Sequence, residues 1–331
     1  MEAVPAPELV ERFRHDLDRL IVPTAALGLA VSGGPDSLAL LLLAAAARPG
    51  LVRAATVDHR LRAESRGEAE TVATLCRRLR VPHRILAVQW GEKPETGIQE
   101  KARVARYHLL ADWARDEKLA ALLTGHHRDD QAETLLMRLA RGSGVKGLAG
   151  IRRAACVPGA TDIPLLRPLL RWPRAELEQL CAAAGASPAS DPSNADESFE
   201  RVRARNALAA SDFLDVEALA RSARALAQAD VSLDWAADNA WEAVADVSAA
   251  EILVRPAGLP SEIRRRLAAR AVRSLATENS SSDLRGRELD HLLEALSSGG
   301  RATLRGVLCD GGDHWRFVAA PNRTRRLPDV R

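Results

Sequence analysis

Aromatic side chains are scarce in this 331-residue chain, which has one Tyr, four Phe and six Trp. A broad stacking platform for single-stranded nucleic acid is therefore excluded as the main binding device, and Leu, Ala and Val must build the core. Lysine is nearly absent: Lys93, Lys101, Lys118 and Lys146 are the only lysines among 47 basic residues. The positive charge is thus almost wholly guanidinium, which suits planar, bidentate contacts to phosphate, although a genome-wide composition bias explains the skew equally well. Cys76, Cys156, Cys181 and Cys309 contain no C-x-x-C pair, which argues against a zinc ribbon and a disulfide framework. The longest apolar run, residues 38–47, is half a membrane span, and Glu2 and Glu8 stand where a signal peptide carries basic residues. The expectation is a cytoplasmic protein with no membrane partner. The net charge of +3 is too small to announce a nucleic-acid partner by itself.

What is present is enough for a proper core. With 47% hydrophobic and 27% charged residues, the chain fits one large domain or two ordinary ones. Apolar periodicity alternates along the first half. Helical spacing at residues 9–20 precedes a short buried strand at 27–31 and a helix at 38–47. A strand at 52–57, a helix at 64–79, a strand at 84–89, a helix at 98–117, a strand at 120–124 and a helix at 129–141 follow. This is the β-α-β-α order of an α/β fold with a doubly wound parallel sheet, in which ligands bind beyond the carboxyl ends of the strands. From residue 151 prolines punctuate a connector, and one more helix spans 174–184. After residue 215 the chain reads as mostly helical, and from 300 as a small β appendage. The expected domains are 1–213, 214–299 and 300–331.

The strongest local signal is Ser32-Gly33-Gly34-Pro35-Asp36-Ser37, between a predicted strand and a predicted helix. Two glycines allow close backbone approach to phosphate, and the hydroxyls, successive N–H groups and helix N-terminus suit an anion. No Walker lysine is present. An Asp in its place suggests a ligand for Mg²⁺ at a pyrophosphate leaving group. An ordinary Gly-rich turn with an Asp and Ser cap is the competing interpretation. Further along, Asp58-His59-Arg60-Leu61-Arg62 follows the second strand, where Asp58 could accept from a ribose hydroxyl or bind a metal. Arg103 and Arg106 share a helix face before Tyr107. In His126-His127-Arg128-Asp129-Asp130-Gln131-Ala132-Glu133, Asp130 and Glu133 would place two carboxylates on one face at a helix start, enough to hold an ammonium group. Taken singly, each has a structural alternative: first-turn acids on a helix dipole, a solvated arginine face, polar residues at a strand end.

The first segment resembles the PP-loop, Ser-Gly-Gly-x-Asp-Ser, of the N-type ATP pyrophosphatases. The ordered set that follows, with Arg141-Gly142-Ser143-Gly144, Arg167-Pro168-Leu169-Leu170 and Asp191-Pro192-Ser193-Asn194, resembles the tRNA(Ile)-lysidine synthases over about residues 27–210. The resemblance implies an ATP-dependent ligase of Rossmann-like PP-loop fold. It implies a tRNA(Ile) substrate with a CAU anticodon, L-lysine as co-substrate, and ATP and Mg²⁺ as cofactors. The wobble cytidine would attack the α-phosphate through its C2 oxygen, and the lysine ε-amine would then displace AMP, changing decoding from AUG to AUA. Ser32, Gly33, Gly34, Pro35, Asp36, Ser37, Asp58 and His59 would bind ATP, with Asp36 the metal ligand. Arg106, Asp130 and Glu133 would surround the lysine, with Asp130 as general base and Asp36 also in the catalytic set. Arg201, Arg203 and Arg205, at alternate spacing, would face tRNA phosphates. Val202 replaces an Asn common there, which leaves open how the three arginines divide the work. The basic tail, Arg323, Arg325, Arg326 and Arg331, is either an RNA contact or a frayed end. Oligomeric state is not legible, with a homodimer kept open. The rivals are a tRNA cytidine thiolase, which would need sulfur-carrying cysteines, a small-molecule amide ligase, and a non-catalytic RNA-binding protein.

Overall fold

In the computed structural model, residues 5–60, 65–91, 96–188, 196–276, 284 and 286–320 are described; the segments at 61–64 and 191–194 and the basic tail lie outside them. Leu27–Ala30 (β1) and Val52–Asp58 (β2) show why the first half folds as it does. Successive strand side chains point to opposite faces, and here both faces are apolar. Leu27, Leu29, Val52 and Ala54 enter one core with Phe13, Leu17 and the leucines at 40–43. Ala55 enters the other with Tyr107, Leu110, Trp113 and Leu122. Strands covered on both faces are the mark of a parallel sheet between helix layers.

The helices supplying those layers are Pro7–Asp18 (α1), Pro35–Ala47 (α2), Ser65–Arg78 (α3) and Ile98–Asp116 (α4). Strands His83–Ala87 (β3) and Ala121–Leu123 (β4) continue the parallel sheet, and Arg128–Ala140 (α5) follows β4. In β1, a Cβ on Gly28 would fall 2.7–2.9 Å from Leu119, Leu122 and Trp113, so only glycine lets those side chains lie against the strand. The sheet order is β3-β2-β1-β4-β6-β5. The chain leaves β1 toward β2 on one side and meets β4 on the other. The carboxyl ends of β1 and β4 therefore flank the switch point where such sheets bind ligands.

Two elements depart from the sequence expectation. The proline-punctuated connector contains a hairpin, Ala154–Val157 (β5) and Ala160–Leu166 (β6), added antiparallel and parallel respectively to the sheet edge. Pro164 is tolerated because β6 pairs with β4 only from Leu165 onward and the β5–β6 register shifts at Cys156/Val157. After Val145–Leu148 (α6) and Arg174–Ala183 (α7), the arginine-rich stretch is a helix, Glu200–Ala210 (α8).

The chain divides into two compact units, residues 1–141 with 148–224, and 142–147 with 225–331. The division falls near residue 224, inside Val216–Val244 (α9), rather than at 213. In the second unit, Ser261–Leu275 (α10) and Gly286–Ser297 (α11) cover a five-stranded antiparallel sheet. Its strands are Ala245–Val247 (β7), Glu251–Val254 (β8), Arg301–Leu304 (β9), Val307–Asp310 (β10) and Trp315–Ala319 (β11). Because β11 pairs with β8, the segment read as a separate appendage shares one sheet with residues 245–254. It also shares one core, in which Trp315 and Phe317 meet Leu267 and Leu292.

Gln131, buried in α5, closes both backbone groups of Ile151 at the entry to the hairpin: Nε2 donates to Ile151 O and Oε1 accepts from Ile151 N, each at 2.7 Å. Gln131→Ala leaves that donor and acceptor without partners and costs about 2 kcal/mol. The expected readout is a lower urea midpoint with an unchanged slope; a midpoint equal to wild type would contradict it.

Candidate functional site

The turn from β1 into α2 begins with Gly33 at φ 91°, in the left-handed region. Gly34 is the N-cap of α2, and no side chain caps the helix, so its first N–H groups face the loop. Ser37 holds the loop closed: its Oγ accepts from Ser32 N at 3.1 Å and donates to Gly34 O at 2.9 Å, while Ser32 Oγ donates to it at 3.2 Å. Pro35 contributes a carbonyl that accepts from Cys181 Sγ at 3.2 Å. Asp36 has a buried Oδ1 with no hydrogen-bond partner. The turn after β4 lies directly on this loop. A Cβ on Gly125 would sit 2.6 Å from Asp36 O, so a glycine is required for the close approach.

That approach brings the start of α5 to the loop. His127 is the N-cap, with Nδ1 accepting from Asp129 N at 3.2 Å, while Asp130 Oδ2 accepts from His127 N at 3.0 Å in a reciprocal capping box. The ring is 1% exposed, and its Nε2 is 3.4 Å from Asp36 Oδ2 and 3.7 Å from Asp130 Oδ2. Burial disfavours a charged ring. The hydrogen bonds to Asp129 and Asp36 and the charges of Asp130 and Asp36 outweigh it and raise the pKa to about 10. The cap needs the Nδ1 lone pair of the neutral ring. The carboxylates favour the cation, which gives up that long cap for the Asp129 carboxylate 3.7 Å away. With three acids around a desolvated ring, the charged form prevails. Its neighbour His126 goes the other way: burial, with Arg167, Arg201 and Arg106 nearby, overrides Asp130 and lowers its pKa to about 4. Burial pushes the Asp130 carboxyl up, but His127, Arg201 and His126 bring it below its ordinary value.

Glu133, one turn further on, is 2% exposed. Its Oε1 accepts from Arg205 Nε at 2.8 Å, and its Oε2 lies 3.1 Å from Arg201 Nε. Arg201 Nη2 is also 3.8 Å from Asp130 Oδ1. The alternate spacing of 201, 203 and 205 would put three side chains on one side of an extended segment. In α8 it puts Arg201 and Arg205 one turn apart on the face toward α5, and Arg203 elsewhere, donating to Glu197 O and Ser198 O at 2.8 and 2.9 Å. Two of the three arginines are thus neutralised by an acid expected to hold an ammonium.

These groups surround a cleft of about 520 Å³ whose lining includes Ser32, Asp36, His59, Arg106, His126 and Asp130, a size suited to a nucleotide. Arg201 and Arg205 also line it. His59 is held by Trp90, whose Nε1 donates to His59 O at 2.7 Å. Burial and Arg106 lower the His59 pKa against the pull of Asp58. Asp58 is engaged in the turn itself, accepting from Arg60 N at 2.9 Å, and it lies with Glu133, Gly33 and Pro35 outside the cleft wall. Tyr107 lines the cleft and was missed as a site residue; its position directly after Arg106 in a helix was the available signal. Among the described residues no set of three His, Cys, Asp or Glu could hold a metal. The orphaned Asp36 oxygen still fits Mg²⁺, which is commonly held by one carboxylate together with substrate phosphates. Cys76, Cys181 and Cys309 are buried separately and Cys156 is exposed.

Comparison with known proteins places these residues in a family context. Residues 8–211 match the ATP_bind_3 family, a PP-loop domain. The chain is 46% identical over 320 residues to a tRNA(Ile)-lysidine synthase of Novosphingobium aromaticivorans, covering 96% of each chain. It is 42% identical over 304 residues to that of Zymomonas mobilis, covering 91% of this chain and 90% of the relative. A U34-tRNA thiolase from Methanococcus maripaludis shares the fold with a TM-score of 0.55 at 17% identity, over 68% of this chain and 78% of the other. No described helix is long and apolar enough to cross a membrane.

The two adjacent histidines should titrate at opposite ends of the scale. His126, with a pKa of about 4 against an ordinary 6.5, contributes stability above pH 6.5 that is lost as pH falls toward 4. His127, at about 10, contributes stability below pH 6.5 that is lost as pH rises through 10. Ring NMR titration, assigned with His126→Gln and His127→Gln, should find the first neutral and the second charged at pH 7. Two rings that both titrate near 6.5 would refute this.

Proposed function

The chain belongs to the tRNA(Ile)-lysidine synthases, a family built on the PP-loop domain, and from that premise we propose how its residues carry out the reaction. It is an ATP-dependent ligase that modifies tRNA(Ile). The observation that carries the assignment of roles is the meeting of the Ser32–Ser37 loop, Asp130 and the α8 arginines around one cleft.

ATP lies with its phosphates on the loop, where the α2 N–H groups and the Ser32 hydroxyl receive them. His59 lies toward the nucleoside end, and Asp58 acts through the turn that places it. Mg²⁺, bound by Asp36 and the phosphates, would neutralise charge on the departing pyrophosphate. The wobble cytidine of the CAU anticodon, already unpaired in its loop, enters with its C2 oxygen toward the α-phosphate. A new O–P bond forms and the bond to pyrophosphate breaks. L-lysine then presents its ε-amine to C2; the N–C bond forms, and the C–O bond to AMP breaks. Asp130 first holds the ammonium and then takes its proton, since only the neutral amine attacks. Its pKa, held below the ordinary carboxylate value, keeps it ionised as a holder, and the positive charge around it makes it a weak base, so the neutral amine forms as a minor species before it attacks. Glu133 serves this site by fixing Arg201 and Arg205 at the cleft wall. Arg203, on another face of α8, is the arginine placed for a more distant tRNA phosphate.

AMP release and radiolabelled lysine incorporation, measured with tRNA(Ile) bearing a CAU anticodon, test the reading. Wild-type protein should release AMP only when both tRNA and lysine are present. Asp130→Asn should lower lysine transfer about 100-fold or more at saturating lysine while pyrophosphate is still formed. Normal turnover by Asp130→Asn would remove it as the base; no AMP release by wild type would remove the reading altogether.

A further inference from the structure

Phe213 is 89% exposed, more than any other large apolar side chain among the described residues. Among the described residues of the first unit, no other aromatic side chain is exposed. A single apolar residue at the surface needs no explanation by itself, but this one is held in place from both sides. The turn at 211–215 joins α8 to α9. Ser211 Oγ accepts from Phe213 N at 3.2 Å and from Leu214 N at 3.1 Å. Asp215 Oδ1 accepts from Glu217 N and Ala218 N at 2.5 and 3.1 Å and so caps the start of α9. Leu214 is half-buried, and the Phe213 ring is left pointing into solvent on a turn whose backbone is fixed.

Both ends of this turn are fastened to α5. Upstream, Arg205 lines the cleft and its Nε donates to Glu133 Oε1 at 2.8 Å. Downstream, Glu217 Oε2 lies 3.4 Å from Nη1 of Arg128, the first residue of α5. Between Arg205 and Glu217 the chain therefore runs along α5 from Glu133 toward the helix N-terminus, the end at which Asp130 lines the cleft. The exposed ring stands at that end. The turn carries Asp212 and Asp215 and no cation, so it repels a phosphate. What it offers a ligand is the face of one aromatic ring.

A nucleobase presents a π-face that such a ring can stack on. A wobble cytidine that enters the cleft has to leave its stack, and the anticodon adenosine that follows it then loses a stacking partner. We propose that the Phe213 ring stacks on this adenine when the cytidine is in the cleft, replacing the contact that extrusion of the cytidine breaks. The proposal rests on the reading that the wobble cytidine enters the cleft. A ring on a fixed turn loses little freedom on binding, so most of the stacking energy offsets the cost of unstacking the cytidine.

The test measures binding of tRNA(Ile) bearing a CAU anticodon to the full chain, with a non-hydrolysable ATP analogue present. Phe213→Ala should raise the tRNA Kd about tenfold, the loss expected for one base stacked on an aromatic ring, and leave KM for ATP and for lysine unchanged. Its urea midpoint should match wild type, because the ring is in water. Phe213→Trp should bind as wild type does, while Phe213→Leu, apolar but without a π-face, should be as weak as Phe213→Ala. The slope of log Kd against log salt should be the same in all four proteins, since no phosphate contact changes. An unchanged Kd in Phe213→Ala or a shallower salt slope would overturn the assignment. Full recovery in Phe213→Leu would overturn it too, and would make the ring a plain apolar contact of the kind a protein partner uses. A tRNA with 2-aminopurine in place of the anticodon adenine gives a direct readout, because this base is dim when stacked. At saturating protein its emission should be higher in the Phe213→Ala complex than with wild type; equal emission would refute the proposal. Wild-type protein that releases no AMP with the unlabelled tRNA, ATP and lysine would instead fault the underlying function.

Discussion

The close approach of the β4–α5 turn to the loop after β1 is the constraint from which the rest of the site follows. Gly125 permits it, since a Cβ at this position would fall 2.6 Å from Asp36 O. Once the two turns touch, His127 is sealed between Asp36, Asp129 and Asp130, and a buried charge cluster replaces what would otherwise be a solvated strand end. Such a cluster is tolerated only if its members satisfy one another, and the charged His127 ring among the three carboxylates, with His127 N donating to Asp130 Oδ2, supplies that satisfaction at the N-terminus of α5. The Ser32–Ser37 loop and Asp130 are then held together before any substrate arrives, which is the preorganisation that an ATP-dependent ligation requires.

Charge in this protein has to be followed pair by pair. The net value of +3 averages a cleft with acids at 36 and 130 against arginines at 103, 106 and 201. Among the described residues of the second unit, most arginines are already engaged. Arg266 meets Asp230, Asp234 and Glu262, Arg270 meets Asp238 while lying 4.5 Å from the Trp241 ring, and Arg305 meets Glu288. Acids at 230, 234 and 238 recur at helical spacing on α9 opposite arginines four apart on α10, so these pairs join two helices and do not form an RNA footprint. A large arginine count is therefore weak evidence for nucleic-acid binding in this chain.

The parallel part of the fold was legible because strands buried on both faces leave near-continuous apolar runs, as at 27–30 and, with Arg53 and Thr56 interrupting, at 52–57, and because helical periodicity brackets them. The β5–β6 hairpin was not, since Pro164 reads as a breaker unless it is known that β6 pairs with β4 only from Leu165 onward. At the site, the shared face of Asp130 and Glu133 could be read from their spacing, and the phosphate loop from its glycines. The partners of Glu133 could not. They come from α8, some seventy residues away, and α8 has weak amphipathicity, with only Val202, Ala204 and Leu208 buried. Spacing on one helix fixes which side chains are neighbours along it, whereas which helix faces it is settled by tertiary packing.

Pairing also separates two kinds of cation around the cleft. An arginine already bound to an internal carboxylate can take a ligand phosphate only by sharing or exchanging that partner, so its contribution to binding is the difference between two good interactions. Arg201 and Arg205 are of this kind, and their pairing with Glu133 keeps them in place before any substrate arrives. Arg106 and Arg167 are desolvated with no acid beside them, so a ligand anion relieves a cost already present in the folded protein. The first kind suits a large substrate that brings many phosphates and needs little from each. The second suits a ligand that must be recognised by a single charged group.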